Sequence, residues 1–321
     1  MRAVYIARFD AEDPAAAIEV GERPDPEPGE DWTAIEMRAA SLNHHDVWSA
    51  RGVALKQDRL PMILGSDAAG VDAEGNDVIV YSVITDPRWR GSELLDPSLS
   101  LLSERHQGTL AQRVAVPLAN LVPKPPELSF EHAACLPTAW LTAYRMLFTQ
   151  AALRPGDTVL VQGSSGGLST ALVALGNAAG LRVWVTGRSE EKRVFAIGQG
   201  ADQSFEPGAR LPERVDAVMD SVGGASWKHS LRSLRKGGVM VVSGGTGGYS
   251  AEADVARIFA LQLRILGSSM GTREELARLI AFVVKTGLRP VIDTVLELDQ
   301  ARSAFAKLAS GEVRGKLVLT P

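Results

Sequence analysis

Cysteine is nearly absent: Cys135 is the only one in 321 residues. No intrachain disulfide can form, which fits a reducing cytoplasmic compartment, and a structural zinc site built from several thiolates is excluded. Blocks of Lys and Arg are missing too, and the formal net charge is −4. A nucleic-acid backbone needs a concentrated basic surface, so no nucleic-acid partner is expected. No apolar run approaches membrane-spanning length, and the opening "MRAVYIARFD" alternates like a strand rather than carrying a leader's apolar core. A membrane partner is therefore not expected either.

Hydrophobic residues make up 45% of the chain and charged ones 22%, the balance of a folded globular protein, and the length suits two domains. Up to about residue 120, short alternating segments such as "TAIEMRAA", "NDVIVYSVI" and "LAQRVAVP" are separated by Pro, Gly and Asp. Residues 84–108 have no clean period and read as a long surface excursion of the functional or mobile kind. Prolines around residue 124 then give way to a helix with Ser129 as its cap. From Thr158 onward, apolar strands and amphipathic helices alternate with glycine turns, the pattern of a parallel sheet covered on both faces. A helix over 273–286, a strand near 290–298, a helix over 299–309 and a last strand "KLVLT" follow.

"VLVQGSSGGLSTALVALGNAAG" runs from a buried strand through a glycine turn into a helix with Leu168, Leu172 and Leu175 on one face. Glycines let backbone approach a pyrophosphate, and free amides at a helix start meet its charge. Gly163, Ser164, Ser165, Gly166, Gly167 and Leu168 are the candidates, with Ser169 where a third glycine is usual. The competing reading is a tight strand-to-helix connection without a ligand. The next strand ends in Thr186, Gly187, Arg188 and Ser189, with Lys192 close behind. NAD sites place a carboxylate here for the ribose 2′-hydroxyl, whereas a guanidinium suits a 2′-phosphate. NADPH is therefore expected over NADH, unless Ser189 only caps its helix and Arg188 is merely solvated.

The segments "AASLNHHDVWSARG", "PMILGSDAAG", "NLVPKPPELSFEHAACLPTAWLTAYRML", "LRPGDTVLVQGSSGG", "SVGGASWKHSLRSLRKGGVMVVSGG" and "ILGSSMG" occur in an order and spacing that resembles the medium-chain dehydrogenase/reductase superfamily, over nearly the whole chain. The nearest likeness is to its alcohol dehydrogenase and quinone oxidoreductase-like branch. The resemblance implies an α/β fold: a GroES-like, β-rich catalytic domain from residues 1–124 and 269–321, and a Rossmann doubly wound parallel sheet over 125–268. It also implies a homodimer formed through the last Rossmann strand, near "QLRILGSSM".

In zinc-dependent members of that family, ligands fall at the positions of Asn43, Ser66 and Thr138. Amide and hydroxyl groups are not the thiolate and imidazole donors zinc prefers, so no catalytic zinc is expected. His44 and His45 are neighbours and point apart in strand or helix, which makes them poor joint ligands. The resemblance places Asn43 beside the nicotinamide ribose and the substrate carbonyl, and His45 where a proton relay begins. His45 is then either a proton donor or an ordinary structural histidine, with Asp46 as an orienting partner. By the same resemblance Thr142, Lys192 and the stretch Ser243, Gly244, Gly245, Thr246 approach the cofactor. Trp48, Tyr81 and Trp140 are candidates to line an apolar substrate pocket or to pack the core. The expected activity is zinc-independent transfer of hydride from NADPH to a quinone, enone or carbonyl. An alcohol dehydrogenase working without zinc or with NAD, and a cofactor-binding sensor without turnover, are the alternatives.

Overall fold

The computed structural model describes residues 1–53 and 55–321. The chain divides into two compact units, one formed by Met1–Ala139 with Gly271–Pro321 and the other by Trp140–Met270. The expected change of domain at residue 124 lies short of this division. The reason is local: the helix Phe130–Ala134, capped by Ser129, packs on the strands Trp32–Ser41 and Asp67–Val71 and so stays with the first unit.

The first unit is built around the strand Trp32–Ser41. Its first half pairs antiparallel with Arg113–Pro117 and its second half with Asp67–Val71. In its middle the burial alternates, with Ile35 and Met37 inside and Glu36 and Arg38 facing out, as expected of a sheet wet on one side. Over Ala39, Ala40 and Ser41 every residue is buried, because the helix Phe130–Ala134 covers the other face there. The C-terminal strand Lys316–Thr320 inserts beside the same segment, with Val318 opposite Ser41 and Leu319 opposite Ala40. Distant parts of the chain are thus sealed into one sheet. Ile35, Met37, Leu64, Phe305, Leu317 and Leu319 belong to the core beneath it.

The helix Arg273–Thr286 starts with a capping box, Thr272 accepting from the Glu275 amide and Glu275 from the Thr272 amide. It ends at Gly287, whose φ of 72° is left-handed. The excursion at 84–108 is tied down by a two-strand pairing of Val83–Ile84 with Ser100–Leu101.

The second unit contains a parallel sheet. Numbered along the chain, its strands Thr158–Gln162, Arg182–Thr186, Gln203–Phe205, Val215–Asp220, Leu234–Val242 and Arg264–Gly267 lie in the order 3-2-1-4-5-6. The order reverses between the first and fourth strands, and ligands of such sheets bind outside the strand ends at that reversal. Among the described residues no helix is long and apolar enough to cross a membrane.

Phe305 is fully buried in the first unit's core. Phe305→Ala should cost about 3–5 kcal/mol, measured as a lowered urea midpoint in the circular-dichroism transition.

Candidate active site

At the end of strand Trp32–Ser41 the chain turns into the helix His44–Ala50, and this turn is pinned from inside. Asp46 is completely buried. Its carboxylate accepts the Asn43 amide at 2.8 Å and the Gly65 amide at 3.0 Å. Burial raises its pKa, against the pull of the His45 charge and the Asn43 amide. With both oxygens engaged by amides, Asp46 anchors two backbone segments.

Beside it lies a second buried carboxylate, Asp67. Oδ2 accepts from Ser41 Oγ at 2.8 Å and from Asn43 Nδ2 at 2.8 Å, while Thr138 Oγ1 donates to Oδ1 at 2.5 Å. The ammonium of Lys316, itself 3% exposed, lies 3.4 Å from Oδ2 and donates to Asn43 Oδ1 at 2.5 Å and to the Leu42 carbonyl at 2.7 Å. Asn43, Ser66 and Thr138 converge: Asn43 Nδ2 is 3.5 Å from Ser66 Oγ, which is 3.4 Å from Thr138 Oγ1. These are the three positions that the family resemblance associates with zinc. Here they present neutral oxygens and an amide, and a cation, Lys316, already neutralises the local carboxylate. A dication beside a buried ammonium, with no thiolate or imidazole donor, is disfavoured twice over, so this donor set does not fit zinc. Among the described residues no group of three or more His, Cys, Asp or Glu side chains could hold a metal. Cys135 is buried, which pushes its thiol up to about 12 and leaves it inert.

His44 and His45 part as helix geometry requires. His44 is exposed and meets the half-buried Trp48 edge-on, with ring centroids 6.4 Å apart. His45 turns inward, and its Nε2 lies 3.0 Å from Glu104 Oε1. Its Nδ1 is buried and has no hydrogen-bond partner among the described residues. Burial disfavours the imidazolium, but the Glu104 hydrogen bond and the charges of Asp46, Glu104 and Asp67 outweigh it, so the His45 pKa is raised. Two pocket candidates need correction. Tyr81 is 2% exposed with its hydroxyl donated to the Gly271 carbonyl at 2.8 Å, and Trp140 is 1% exposed. Both are packing groups with almost no free surface, because each ring is enclosed on every side.

In the second unit, Gly163 closes the first parallel strand at a φ of +107°, and a Cβ there would stand 2.9 Å from Ser169 Oγ. Ser169 is therefore accommodated at the usual third-glycine position because Gly163 has no side chain. Gly166 caps the helix Gly167–Ala178, and around it a Cβ would meet nothing, so the turn leaves open space at the helix N-terminus. Ser164 and Ser165 are buried in the turn, and Leu168 is half-buried. Thr186 is buried, donates to Gln162 Oε1 at 2.8 Å and accepts the Gly163 amide at 3.2 Å, locking the glycine turn to the neighbouring strand.

Gly187 packs against the turn so closely that a Cβ would lie 2.6 Å from Ser164 Oγ and 2.9 Å from Arg193 Cγ. A side chain at that position would require Ser164 and Arg193 to shift. The next residues, Arg188 and Ser189, are exposed, and Ser189 caps the following helix by accepting from the Lys192 amide at 3.4 Å. Lys192 is half-buried, and Thr142 is buried in the helix Leu141–Tyr144. Ser243–Thr246 follow the fifth strand and are stitched to the end of the fourth and the loop after it: the Ser243 amide donates to Asp220 O at 2.9 Å and the Thr246 amide to Ser221 O at 3.3 Å. Gly244 and Gly245 lie between them, and Ser243 Oγ is buried without a partner among the described residues. An open glycine turn, an exposed guanidinium and an unsatisfied hydroxyl at the strand ends fit a dinucleotide.

Comparison with known proteins agrees. Residues 195–319 match a family model described as "Zinc-binding dehydrogenase". A solved structure of an NAD-dependent alcohol dehydrogenase superposes with a TM-score of 0.91 at 33% identity, covering 100% of both chains. The chain belongs to the medium-chain dehydrogenase/reductase superfamily. It is an NAD(P)H-dependent oxidoreductase of the alcohol dehydrogenase type. This dehydrogenase/reductase is also 28% identical to the acryloyl-coenzyme A reductase of Metallosphaera sedula, over 94% of this chain and 96% of that one. It is 27% identical to the crotonyl-CoA carboxylase/reductase of Cereibacter sphaeroides, over 95% of this chain and 83% of the relative. The family model's zinc-binding description is not matched by the donors present here.

Glu104, Asp67 and Lys316 are the site residues that the sequence reading missed. Only "GSDAAG" carried a signal for one of them, since its Asp67 directly follows a position of interest.

Removing Asp67 strands a buried ammonium. Asp67→Ala should lower stability by about 3–5 kcal/mol, read from urea unfolding at neutral pH. The His45–Glu104 pair predicts a pH window. The raised His45 pKa makes its contribution complete below the unfolded value of 6.5 and lost as pH rises through the folded one. The Glu104 pKa is lowered, with burial opposing and the His45 hydrogen bond prevailing, so its contribution is lost as pH falls through that lowered value. The stability difference between wild type and His45→Gln should therefore peak between pH 5 and 6.5, roughly, in chemical denaturation across pH.

Proposed function

We propose that this oxidoreductase uses NADPH, without zinc, to reduce the carbon–carbon double bond of an α,β-unsaturated carbonyl compound. The observation that carries the nucleotide preference is the end of the second parallel strand, where Gly187 packs closely against Ser164 and Arg193 and Arg188 is exposed. A 2′-hydroxyl would find no carboxylate there, and a 2′-phosphate would find a guanidinium with up to two parallel hydrogen bonds. Gly163, Gly166, Gly167 and the helix they open would hold the pyrophosphate, and Ser189 and Lys192 stand beside Arg188.

The reduced nicotinamide supplies a hydride when bound, and the acceptor then needs one proton more. His45 is the group in the first unit suited to give it: its charge is favoured by Glu104, Asp46 and Asp67, and its Nδ1 is uncommitted. Asn43 has one amide proton on Asp67, and its remaining contacts, to Ser41 O and Ser66 Oγ, are long at 3.5 Å each, which leaves it able to turn a donor toward a carbonyl oxygen. Hydrogen bonds polarise a carbonyl less than a metal does, which favours conjugated acceptors. The coenzyme A thioester reductases among the relatives carry acceptors of this class in their names. Conjugated thioesters therefore rank ahead of quinones and simple ketones. Edge strand Arg264–Gly267, with Val255 and Phe259 exposed on the preceding helix, supports pairing of two copies across that edge.

A second reading, alcohol oxidation with NAD, is favoured by the full-length likeness to an NAD-dependent alcohol dehydrogenase. Fluorescence titration separates the two. NADPH should bind at least tenfold more tightly than NADH, and Arg188→Ala should weaken NADPH by about 10- to 100-fold, as expected for charge-assisted hydrogen bonds, while leaving NADH unchanged. Tighter NADH binding would select the second reading. Metal analysis of the purified protein should give well under one zinc per chain.

A further inference from the structure

Glu104 lies 59 residues beyond His45, inside the excursion that the sequence leaves without a period. The chain nevertheless spends several constraints on aiming its side chain. Oε2 accepts the Leu101 amide at 3.0 Å, and the Glu104 amide donates back to the Leu101 carbonyl at 3.2 Å. Ser103, between them, adopts a φ of +70°, a left-handed conformation uncommon outside glycine, with its amide on the His106 carbonyl at 3.0 Å. Leu102 is tied to the Ser82 carbonyl at 3.1 Å, and Ser100–Leu101 pairs with Val83–Ile84. The result is one carboxylate oxygen held by backbone and the other presented to His45 Nε2 at 3.0 Å, with the two side chains 22% and 14% exposed.

An ionised carboxylate can only accept, so His45 must carry its proton on Nε2 when neutral. Nδ1 is then the nitrogen that gains and loses a proton, and it is the one left buried without a partner among the described residues. The charges around the ring are Asp46 on its own helix, Asp67 on the neighbouring strand, with Lys316 behind it, and Glu104.

We infer that Glu104 is a positioning residue: it fixes the Nε2–H tautomer of His45 and so dedicates Nδ1 to proton delivery. This rests on the reading of the reaction given above. In the step, the Nδ1–H bond breaks and a C–H bond forms at the acceptor carbon that carries the negative charge after hydride addition. The electron pair of the reduction comes from the reduced nucleotide. His45 is left neutral with Nε2–H still on Glu104, and water returns the proton to Nδ1.

The test uses full-length ¹⁵N-labelled protein and long-range ¹H–¹⁵N spectra of the five histidine rings, with His45→Gln assigning the His45 signals. Wild-type His45 should appear as the Nε2–H tautomer and titrate above 6.5. In Glu104→Gln, which can still accept the hydrogen bond but has no charge, the midpoint should fall by about one unit or more. In Glu104→Asp, which keeps the charge, it should fall less. With NADPH and crotonyl-CoA as the probe acceptor, the alkaline limb of the kcat profile should move down by the same amount in Glu104→Gln, and the Kd for NADPH should not change. A Nδ1–H tautomer, or Glu104→Gln spectra and pH profile that overlay wild type, would overturn the inference. If wild type does not reduce crotonyl-CoA, the reading of the reaction falls, and the ring spectra alone uphold or overturn the coupling of Glu104 to His45.

Discussion

The first unit's site is organised by one buried negative charge. Asp67 cannot be solvated where it stands, so its oxygens must be met by protein donors, and Ser41, Asn43, Thr138 and Lys316 meet them. Those donors come from the long central strand, the turn after it, the segment beyond the helix Phe130–Ala134, and the last strand. Satisfying one carboxylate therefore fixes the relative position of four pieces of chain. Asn43 and Thr138, at positions the family resemblance associates with zinc ligands, are held by this carboxylate, and the positive charge beside it is the Lys316 ammonium.

The second unit depends on close backbone approach instead of charge. A Cβ at Gly163 would crowd Ser169 of the following helix and one at Gly187 would crowd Ser164 of the glycine turn, and Thr186 holds the two strand ends together. The close packing of Gly187 against Ser164 and Arg193 leaves the exposed Arg188 as the first charged side chain after this strand, which is the feature the proposed NADPH preference rests on.

Much of this was legible in the sequence, and the pattern of success has a physical cause. Strand alternation, the glycine turn and the caps at Ser129 and Ser189 are local features, written within a few residues, and the structure places them as read. The domain division was less legible, since the helix Phe130–Ala134 looks in sequence like the start of the next domain, and only its packing on the central strand assigns it to the first. Tyr81 and Trp140 show that an aromatic suited to a pocket is equally suited to a core, and burial alone decides between them. Glu104 and Lys316 were beyond reach because each acts across 59 and 273 residues, on His45 and Asn43 respectively, and no local period announces such a pairing.

The position of Lys316 also has a consequence for how the protein is born. Asp67, Asn43 and Ser41 leave the ribosome early, but the ammonium that neutralises them is encoded after the entire parallel-sheet unit. The last strand, with its ammonium, is therefore made only after the whole of the parallel-sheet unit, so the central sheet of the first unit cannot be completed before that point in synthesis.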